Sequence, residues 1–508
     1  MERTGEFFPN DKRGCPIQAK MLTSWRRTVK HFEDGGRRAE QSNWRNPKSA
    51  PGPQRNWIGY TEFQVKNGVD RVKVGTALLA NRGSDEVREE DIKPEDWGAW
   101  RVADGEEWSK VVGSGAVIPL SEEESLEVEK QLRECHQKDR ILPSRIVRRW
   151  KPSEQPGVPP SMKSRWCIRG DKDPDLLSLD RYAPTVTTSV IAIALQAAAS
   201  MGLRAAVGDL KNAFMQSDPL RRREGRLFCR LPKGGLPGLE HSQIIEIVAG
   251  AYGLGDAPAH WRKSLRKVIL EMGYQQSAMD PCVFKLMGEA RLHGLLIVEV
   301  DDILSLGDEV HEEKVSKLRE RFKFGKFMYL DENPEGVAFN GRRLKHVNGG
   351  GIAIDMQKFV EERLHEVSLE QGRAAMKTED ATEAERNSTR AAIGALTWAA
   401  KEGRPDCAAG ASLIAGCLNS LKIQDINDLN KIIRDVKKAS KLSIPVQPID
   451  PARMCWGVVT DASFANASGG ASQGAYGVLC YDEDVATLGS GVGNLTWSTG
   501  RVEKFIGW

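Results

Sequence analysis

A chain of 508 residues is longer than one ordinary core supports and calls for roughly two to four domains. With 40% hydrophobic and 28% charged residues the composition is that of a globular protein, and no run approaches the roughly 18 apolar residues of a membrane span. A net charge of +3, spread over the whole length, diagnoses no polyanionic partner by itself.

The start, Met1-Glu2-Arg3-Thr4-Gly5-Glu6, lacks a basic segment followed by an apolar one, so no secretory signal is expected and an intracellular setting is. Nine scattered cysteines without a C-x-x-C pair are expected as reduced thiols. Residues 1–50 hold eleven Lys or Arg against six Asp or Glu, with little apolar periodicity. They read as a flexible basic leader, taken to residue 95, that is either a loose nucleic-acid tether or linker from a longer polyprotein. Organisation starts at Trp97, and Ser121 with Glu124 fits a capping box opening an acidic helix. Pro152, Pro156, Pro159 and Pro160 mark a loop, and Ser189 to Ala199 is a helical run that Gly202 can end.

The chemistry begins at Asp209, at the end of the strand-like run Val207 to Leu210. Alone, such a carboxylate is usually a turn residue. Farther on, the β-prone runs Leu295–Val300 and Ile303–Leu306 are separated by Asp301-Asp302, which is hairpin spacing without the Gly that such turns favour. Like charges so close repel, and a hard divalent cation with oxygen ligands is the usual remedy. Asp209, Asp301 and Asp302 are therefore the candidate catalytic and metal-binding residues, with two Mg²⁺ ions expected and Mn²⁺ as a substitute. Successive strand residues point oppositely, so Asp301 and Asp302 are expected to be inequivalent.

Five blocks in one order carry a resemblance: Lys163-Ser164-Arg165-Trp166-Cys167-Ile168-Arg169-Gly170, Tyr182-Ala183-Pro184-Thr185-Val186, Asp209 to Phe214, Ala251 to Trp261 and Asp280-Pro281-Cys282-Val283-Phe284. With Asp301-Asp302 at the place of a Y-V-D-D box, and Arg404-Pro405-Asp406 downstream, residues from about Trp97 to Lys437 resemble the reverse transcriptase of copia-type LTR retrotransposons. The resemblance implies an α+β right-hand polymerase fold: fingers and palm over 96–345, a mainly helical thumb and connection over 346–450. It implies an RNA template, a DNA or RNA primer and deoxynucleoside triphosphates as partners, no membrane, and a cytoplasmic virus-like particle or the nucleus as the place of work. Lys163 and Arg165 would meet the triphosphate, Phe214 would exclude a 2′-hydroxyl, and Tyr252 and Gly253 would line the nucleotide groove. Each has a plainer alternative: a solvated basic face, a core Phe and a tight turn. Arg221, Arg222, Arg223, Arg226 and Arg230 form a cluster suited to template phosphates or merely to a charged loop.

Two departures stand out. Glu299 occupies the position before V-D-D where the family has Tyr, and Gly255-Asp256 replaces a Lys-Gln pair. Beyond the helical stretches read at Met356–Gln371, Glu383–Lys401 and Leu429–Lys441, and a strand at Gly351–Asp355, the segment 451–508 resembles the opening strands of ribonuclease H, an α/β domain. Asp461 is its first metal ligand by that likeness, and Leu495 to Ser498 its third strand. The expectation is an incomplete ribonuclease H-like domain without activity, since one aspartate does not hold two metals. Three functions stay open: an RNA-directed DNA polymerase, an inactive retrotransposon relic that still binds nucleic acid, and a metal-dependent nuclease around Asp461.

Overall fold

The computed structural model describes residues 86–151, 160–467 and 470–483 and the strand Phe505–Ile506. Of the leader read over 1–95, residues 1–85 lie outside the described residues, as do the proline loop over 152–159 and Leu495 to Ser498, whereas residues 86–95 are structured and Glu86 and Val87 pair with Arg149 and Arg148. In chain order the first elements are β1 (Glu86–Val87), α1 (Trp97–Gly113), β2 (Val117–Pro119), α2 (Glu122–Glu134), β3 (Ile141–Leu142), β4 (Ser144–Lys151) and β5 (Ser161–Ile168). Then come α3 (Thr188–Met201), β6 (Arg204–Leu210), β7 (Leu227–Arg230), β8 (Ile244–Ile247), α4 (Ala257–Glu271), β9 (Gln275–Gln276), β10 (Val283–Met287), β11 (Leu292–Glu299), β12 (Asp302–Gly307), α5 (Glu309–Arg321) and β13 (Phe324–Tyr329). The last part holds β14 (Val337–Phe339), β15 (Arg342–Val347), β16 (Gly351–Asp355), α6 (Gln357–Arg363), α7 (Glu383–Glu402), α8 (Ala408–Cys417), α9 (Ile423–Lys438), β17 (Ser443–Val446), β18 (Met454–Ala467) and β19 (Ala471–Asp482). None of the described helices is long and apolar enough to cross a membrane.

Local chemistry accounts for the helix ends. Ser121 and Glu124 form the reciprocal capping box that starts α2, and Thr382 with Glu385 does the same for α7. Gly202 closes α3 in the left-handed conformation at φ 65°. The helical reading of Met356–Gln371 is corrected to the seven residues of α6, and that of Leu429–Lys441 to a helix beginning at Ile423. Helix α8 was not foreseen, because Ala408–Cys417 has small residues on all sides and no polar face to give it a period.

The centre is a six-stranded antiparallel sheet in the order β13-β6-β12-β11-β10-β9. Its strands β11 and β12 are buried on both faces, hence the near-continuous apolar runs. One core unites α3 (Ile191, Leu195, Ala198) with Val207, Ile297, Leu304 and Leu306 and with the four-stranded sheet β14-β15-β16-β17. The opposite face packs Leu296, Val298 and Ile303 against Trp261 and Leu265 of α4 and Val315 and Leu318 of α5. The amino-terminal part has two further sheets, β1-β4-β5 and β2-β8-β7-β3, joined by α1 around Trp108 and Trp166. Helices α6 to α9 form a separate helical core.

His311 of α5 is fully buried in the central core, its ring nitrogens engaging Tyr274 Oη at 2.9 Å and Ser305 Oγ at 2.8 Å. Gly294 and Gly307 leave it room, since a Cβ on either would fall 2.2 Å from the ring. Burial pushes the imidazole down to about 4, with Asp308 opposing. Below its ordinary value of 6.5 the unfolded chain takes up a proton that the folded chain refuses, so stability falls as pH falls. Unfolding free energy is expected to drop by roughly 3 kcal/mol between pH 6.5 and about 4 on this account. Urea midpoints measured across that range should lose this slope in His311→Gln; an unchanged slope would assign it to other groups.

Candidate active site

Strands β6 and β12 are neighbours, and their register sets Asp302 directly opposite Asp209. On its other side Asp302 pairs with Glu299 of β11, and Asp209 pairs in turn with Lys326 of β13. Directly opposed residues share a face, so Glu299, Asp302, Asp209 and Lys326 form one row across four strands. Asp301 lies beside this row in the connecting turn, and its carbonyl accepts from the Leu210 N–H at 2.7 Å. Residues 209 and 301, distant in sequence, therefore meet at one sheet end.

The turn itself differs from the expected one. Strand β11 runs through Glu299 and β12 begins at Asp302, so the two loop residues are Val300 and Asp301, not Asp301 and Asp302. Asp301 and Asp302 are thereby inequivalent, one in the loop and one in the ladder. Val300 sits at φ 55°, where a β-branched residue is strained by about 1–2 kcal/mol. Two backbone clamps hold it there: the Leu210 bond to Asp301 and the buried Trp261 indole, whose Nε1–H donates to the Val300 carbonyl at 2.6 Å. Trp261→Phe keeps an aromatic ring beside Phe322, 5.2 Å from the indole, but deletes this donor together with part of the buried ring. The expected result is a stability loss of about 2–3 kcal/mol, from the lost hydrogen bond and the cavity together, and a roughly tenfold slower turnover of whatever reaction the carboxylates perform, measured by melting and rate assays. A rate equal to wild type would deny the indole any part in holding the turn.

Gly325, in a bulge of β13, also serves the site: a Cβ there would lie 2.6 Å from Asp209 Oδ2. Neither Trp261 nor Gly325 was legible as a site residue. Trp261 ends one of the five blocks, whose pattern gives it no role, and an isolated Gly between Phe324 and Lys326 carries no signal beyond a possible bulge.

The electrostatics follow from half-burial of like charges. Asp302 is pushed up to about 6 by burial first, then by Asp301 and Asp209. Burial and the Asp209 charge raise Asp301, against the pull of its own backbone hydrogen bond and of Arg165. Glu299 rises to about 7 through burial, with Arg342 opposing. Among the described residues no three His, Cys, Asp or Glu side chains are gathered as a finished metal centre. The donor chemistry nonetheless suits a hard divalent cation: all oxygen, mutually repelling and partly desolvated.

The remaining candidates fall into two groups, one around β5 and the other a single residue on β18. Lys163 and Arg165 alternate on the exposed face of β5. Arg165 stacks 4.3 Å from the Tyr252 ring centroid, and Tyr252 meets Phe214 edge-on at 5.5 Å. Arg165 also acts on Asp301, and Asp301 on Tyr252, which ties the group to the carboxylates. Lys163 is held below its ordinary value by burial, then by Arg165 and Lys151. Gly253, at φ 95°, lets its backbone pass against β5: a Cβ would lie 2.0 Å from the Ile168 carbonyl oxygen. Asp461 is on β18, in the separate β18–β19 sheet, opposite Ala475.

Residues 131–377 match the family described as reverse transcriptase (RNA-dependent DNA polymerase). A retrovirus-related Pol polyprotein from transposon TNT 1-94 of Nicotiana tabacum is 28% identical over 150 residues, 29% of this chain and 11% of that protein. The Pol polyprotein from transposon RE1 of Arabidopsis thaliana is 26% identical over 149 residues, again 29% of this chain and 10% of its relative. Residues 131–377 are a copia-type reverse transcriptase domain. The chain spans about a tenth of the length of these curated relatives. Among solved structures, that of the foamy viral protease-reverse transcriptase dRH in complex with ds DNA aligns over 70% of this chain and 52% of its own, at 13% identity and a TM-score of 0.34.

Within the reverse transcriptase domain the arginine cluster is largely spoken for. The Arg222 side chain is shielded from solvent and pairs with Asp173 at 3.1 Å and Asp256 at 2.9 Å. Arg226 pairs with Glu246, and Arg230 with Glu129. Arg222 therefore serves the fold, whereas the Arg226 and Arg230 pairs lie at the surface. Asp256, one of the departures from the family blocks, belongs to that buried ion group rather than to an open groove.

Proposed function

We propose that this chain is an RNA-directed DNA polymerase of a copia-type retrotransposon, extending a primer 3′-hydroxyl with deoxynucleotides on an RNA template. The observation that carries this reading is the pairing of Asp209 with Asp302 across neighbouring strands, with Asp301 in the adjoining turn. In this reading 96–345 supply fingers and palm, 346–450 thumb and connection, and 451–508 a ribonuclease H-like part around Asp461. The work takes place inside the cell, in a virus-like particle or the nucleus.

Asp209, Asp301 and Asp302 would hold Mg²⁺, two ions in the family's scheme. When bound, the metal supplies Lewis acidity that favours the alkoxide of the primer and neutralises the departing pyrophosphate. The chain's own residues position the reactants. Arg165 and Lys163 present fixed positive charge to the triphosphate from one face of β5. The Phe214–Tyr252 pair, propped by Arg165, forms an aromatic wall against which the sugar and base rest, Phe214 excluding a 2′-hydroxyl. Trp261 and Leu210 hold the carboxylate turn rigid, so that little reorganisation accompanies reaction.

A second reading, the inactive relic that retains nucleic-acid binding, is favoured by Glu299 where the family has Tyr. Primer extension by the full chain on an RNA template, with deoxynucleotides and Mg²⁺, separates the two. Templated extension supports the polymerase; duplex binding without extension supports the relic.

A further inference from the structure

Glu299 is the one acidic residue in the carboxylate row that the polymerase reading does not use. It ends β11 directly before the turn, opposite Asp302. Left free there, a fourth carboxylate would compete for any cation that Asp301 and Asp302 hold. The structure gives it another partner. Its Oε2 accepts a hydrogen bond from the Asn340 side-chain amide, on a different sheet.

Asn340 is set in place for this contact. Phe339 pairs with Arg342, so Asn340 and Gly341 are the two loop residues of the β14–β15 hairpin. Both have positive φ, 45° and 77°, the conformation such tight hairpins demand and one that Asn and Gly tolerate. Gly341 rests on Trp398 of α7, where a Cβ would lie 3.4 Å from the ring. The next residue, Arg342, is buried and forms an ion pair with the equally buried Glu402, the last residue of α7. Glu402 also accepts from Thr188 Oγ1 at 3.0 Å, at the start of α3. The hairpin tip is thus anchored to two helices before it reaches the carboxylate turn. The charges that bear most on Glu299 are Arg342, Asp302, Lys401 and Asp280, whereas those on Asp302 are Asp301 and Asp209.

We propose that Asn340, backed by Arg342, is a positioning residue that holds the Glu299 carboxylate out of the Asp209–Asp301–Asp302 group, making Glu299 a fixed strut of the turn and not a competing ligand. The inference rests on reading those three aspartates as the polymerase carboxylates. It assigns a part to the one position that departs most from the family pattern, and it makes the Asn340 amide and the Glu299 acid a matched pair.

The test uses the full chain and two readouts, primer extension and Mn²⁺ affinity by electron paramagnetic resonance. Asn340→Asp keeps a residue that tolerates the left-handed backbone but sets an acid against Glu299. It is expected to lower kcat about tenfold with the deoxynucleotide KM within about twofold of wild type, and to change Mn²⁺ affinity about tenfold. Adding Glu299→Gln reverses donor and acceptor, so Asn340→Asp/Glu299→Gln should return both quantities to within about twofold of wild type. Asn340→Gly, which preserves the turn and deletes the amide, should melt like wild type and still lose rate; this guards against a folding defect. The proposal is overturned if Asn340→Asp and Asn340→Gly are silent in both readouts, or if the double substitution restores neither. It also falls if Glu299→Gln alone weakens Mn²⁺ as much as Asp301→Asn does, since Glu299 would then be a ligand. A wild-type chain that extends no primer yet shows the expected Mn²⁺ pattern would sink the polymerase reading and leave the clamp standing.

Discussion

Asp301→Asn is expected to cut primer extension by a factor on the order of 10³ or more while leaving the metal-free protein at least as stable as wild type. Two consequences of one arrangement are combined here. Asp301 and Asp302 are held above the ordinary carboxylate range by burial and by like charges on neighbouring residues, so in the absence of a cation the cluster works against the fold. Replacing one charged oxygen by a neutral amide relieves that repulsion, and a melting rise equivalent to about 1 kcal/mol is reasonable. The same change removes a charge that a divalent ion needs, which costs several kcal/mol of transition-state stabilisation. Asp209→Asn should behave alike, because Asp209 acts on both turn aspartates from the facing strand. Asp461→Asn, on the separate β18–β19 sheet, should leave extension unchanged and serves as the control. If Asp301→Asn destabilised the chain and slowed extension only in proportion, the carboxylates would be structural.

Much of this site was legible because it depends on short-range rules. Asp209 at a strand end, an acidic pair at hairpin spacing, and Lys163 and Arg165 on alternate strand positions follow from period-two geometry, and β5, β6, β11 and β12 carry them where expected. The exact turn was not legible. Reading Asp301-Asp302 as the loop assumes that polar residues take turns and apolar ones take strands, but Val300 occupies the strained position instead. It is kept there by Trp261, 39 residues away, and by a backbone bond from β6, neither of which sequence spacing encodes. Arg222 shows the same limit from the other side. Within a run of arginines it looks like a phosphate contact, yet Asp173 and Asp256 converge on it from separate loops and shield it from solvent. Glu299 reads from the sequence only as a departure from the family block for a related reason, since Asn340 reaches it only when two sheets meet.

Gly253→Ala should be among the most damaging single methyl additions in the chain, and a second glycine isolates why. Gly253 and Gly273 share φ 95°, a conformation that costs an L-residue roughly 1–2 kcal/mol. Around Gly273, beyond the end of α4, no atom lies within 4 Å of an added Cβ, so Gly273→Ala should cost only that backbone strain. At Gly253 the Cβ would meet the Ile168 carbonyl oxygen at 2.0 Å and the Ile168 nitrogen at 2.9 Å, and backbone cannot give way as a side chain can. The loop must lift off β5, breaking the bond from the Ile168 N–H to the Tyr252 carbonyl, now 2.7 Å. The added loss should bring the total to roughly 3–5 kcal/mol, read as a difference in urea midpoints between the two alanine variants. Because Tyr252 rides on that loop, its stack with Arg165 and its edge contact with Phe214 should go too. The surviving folded fraction is then expected to show a deoxynucleotide KM raised about tenfold, whereas Gly273→Ala keeps the wild-type value. Equal destabilisation by the two substitutions would mean that the loop is not pressed against β5, and an unchanged KM in Gly253→Ala would remove Tyr252 from the nucleotide site.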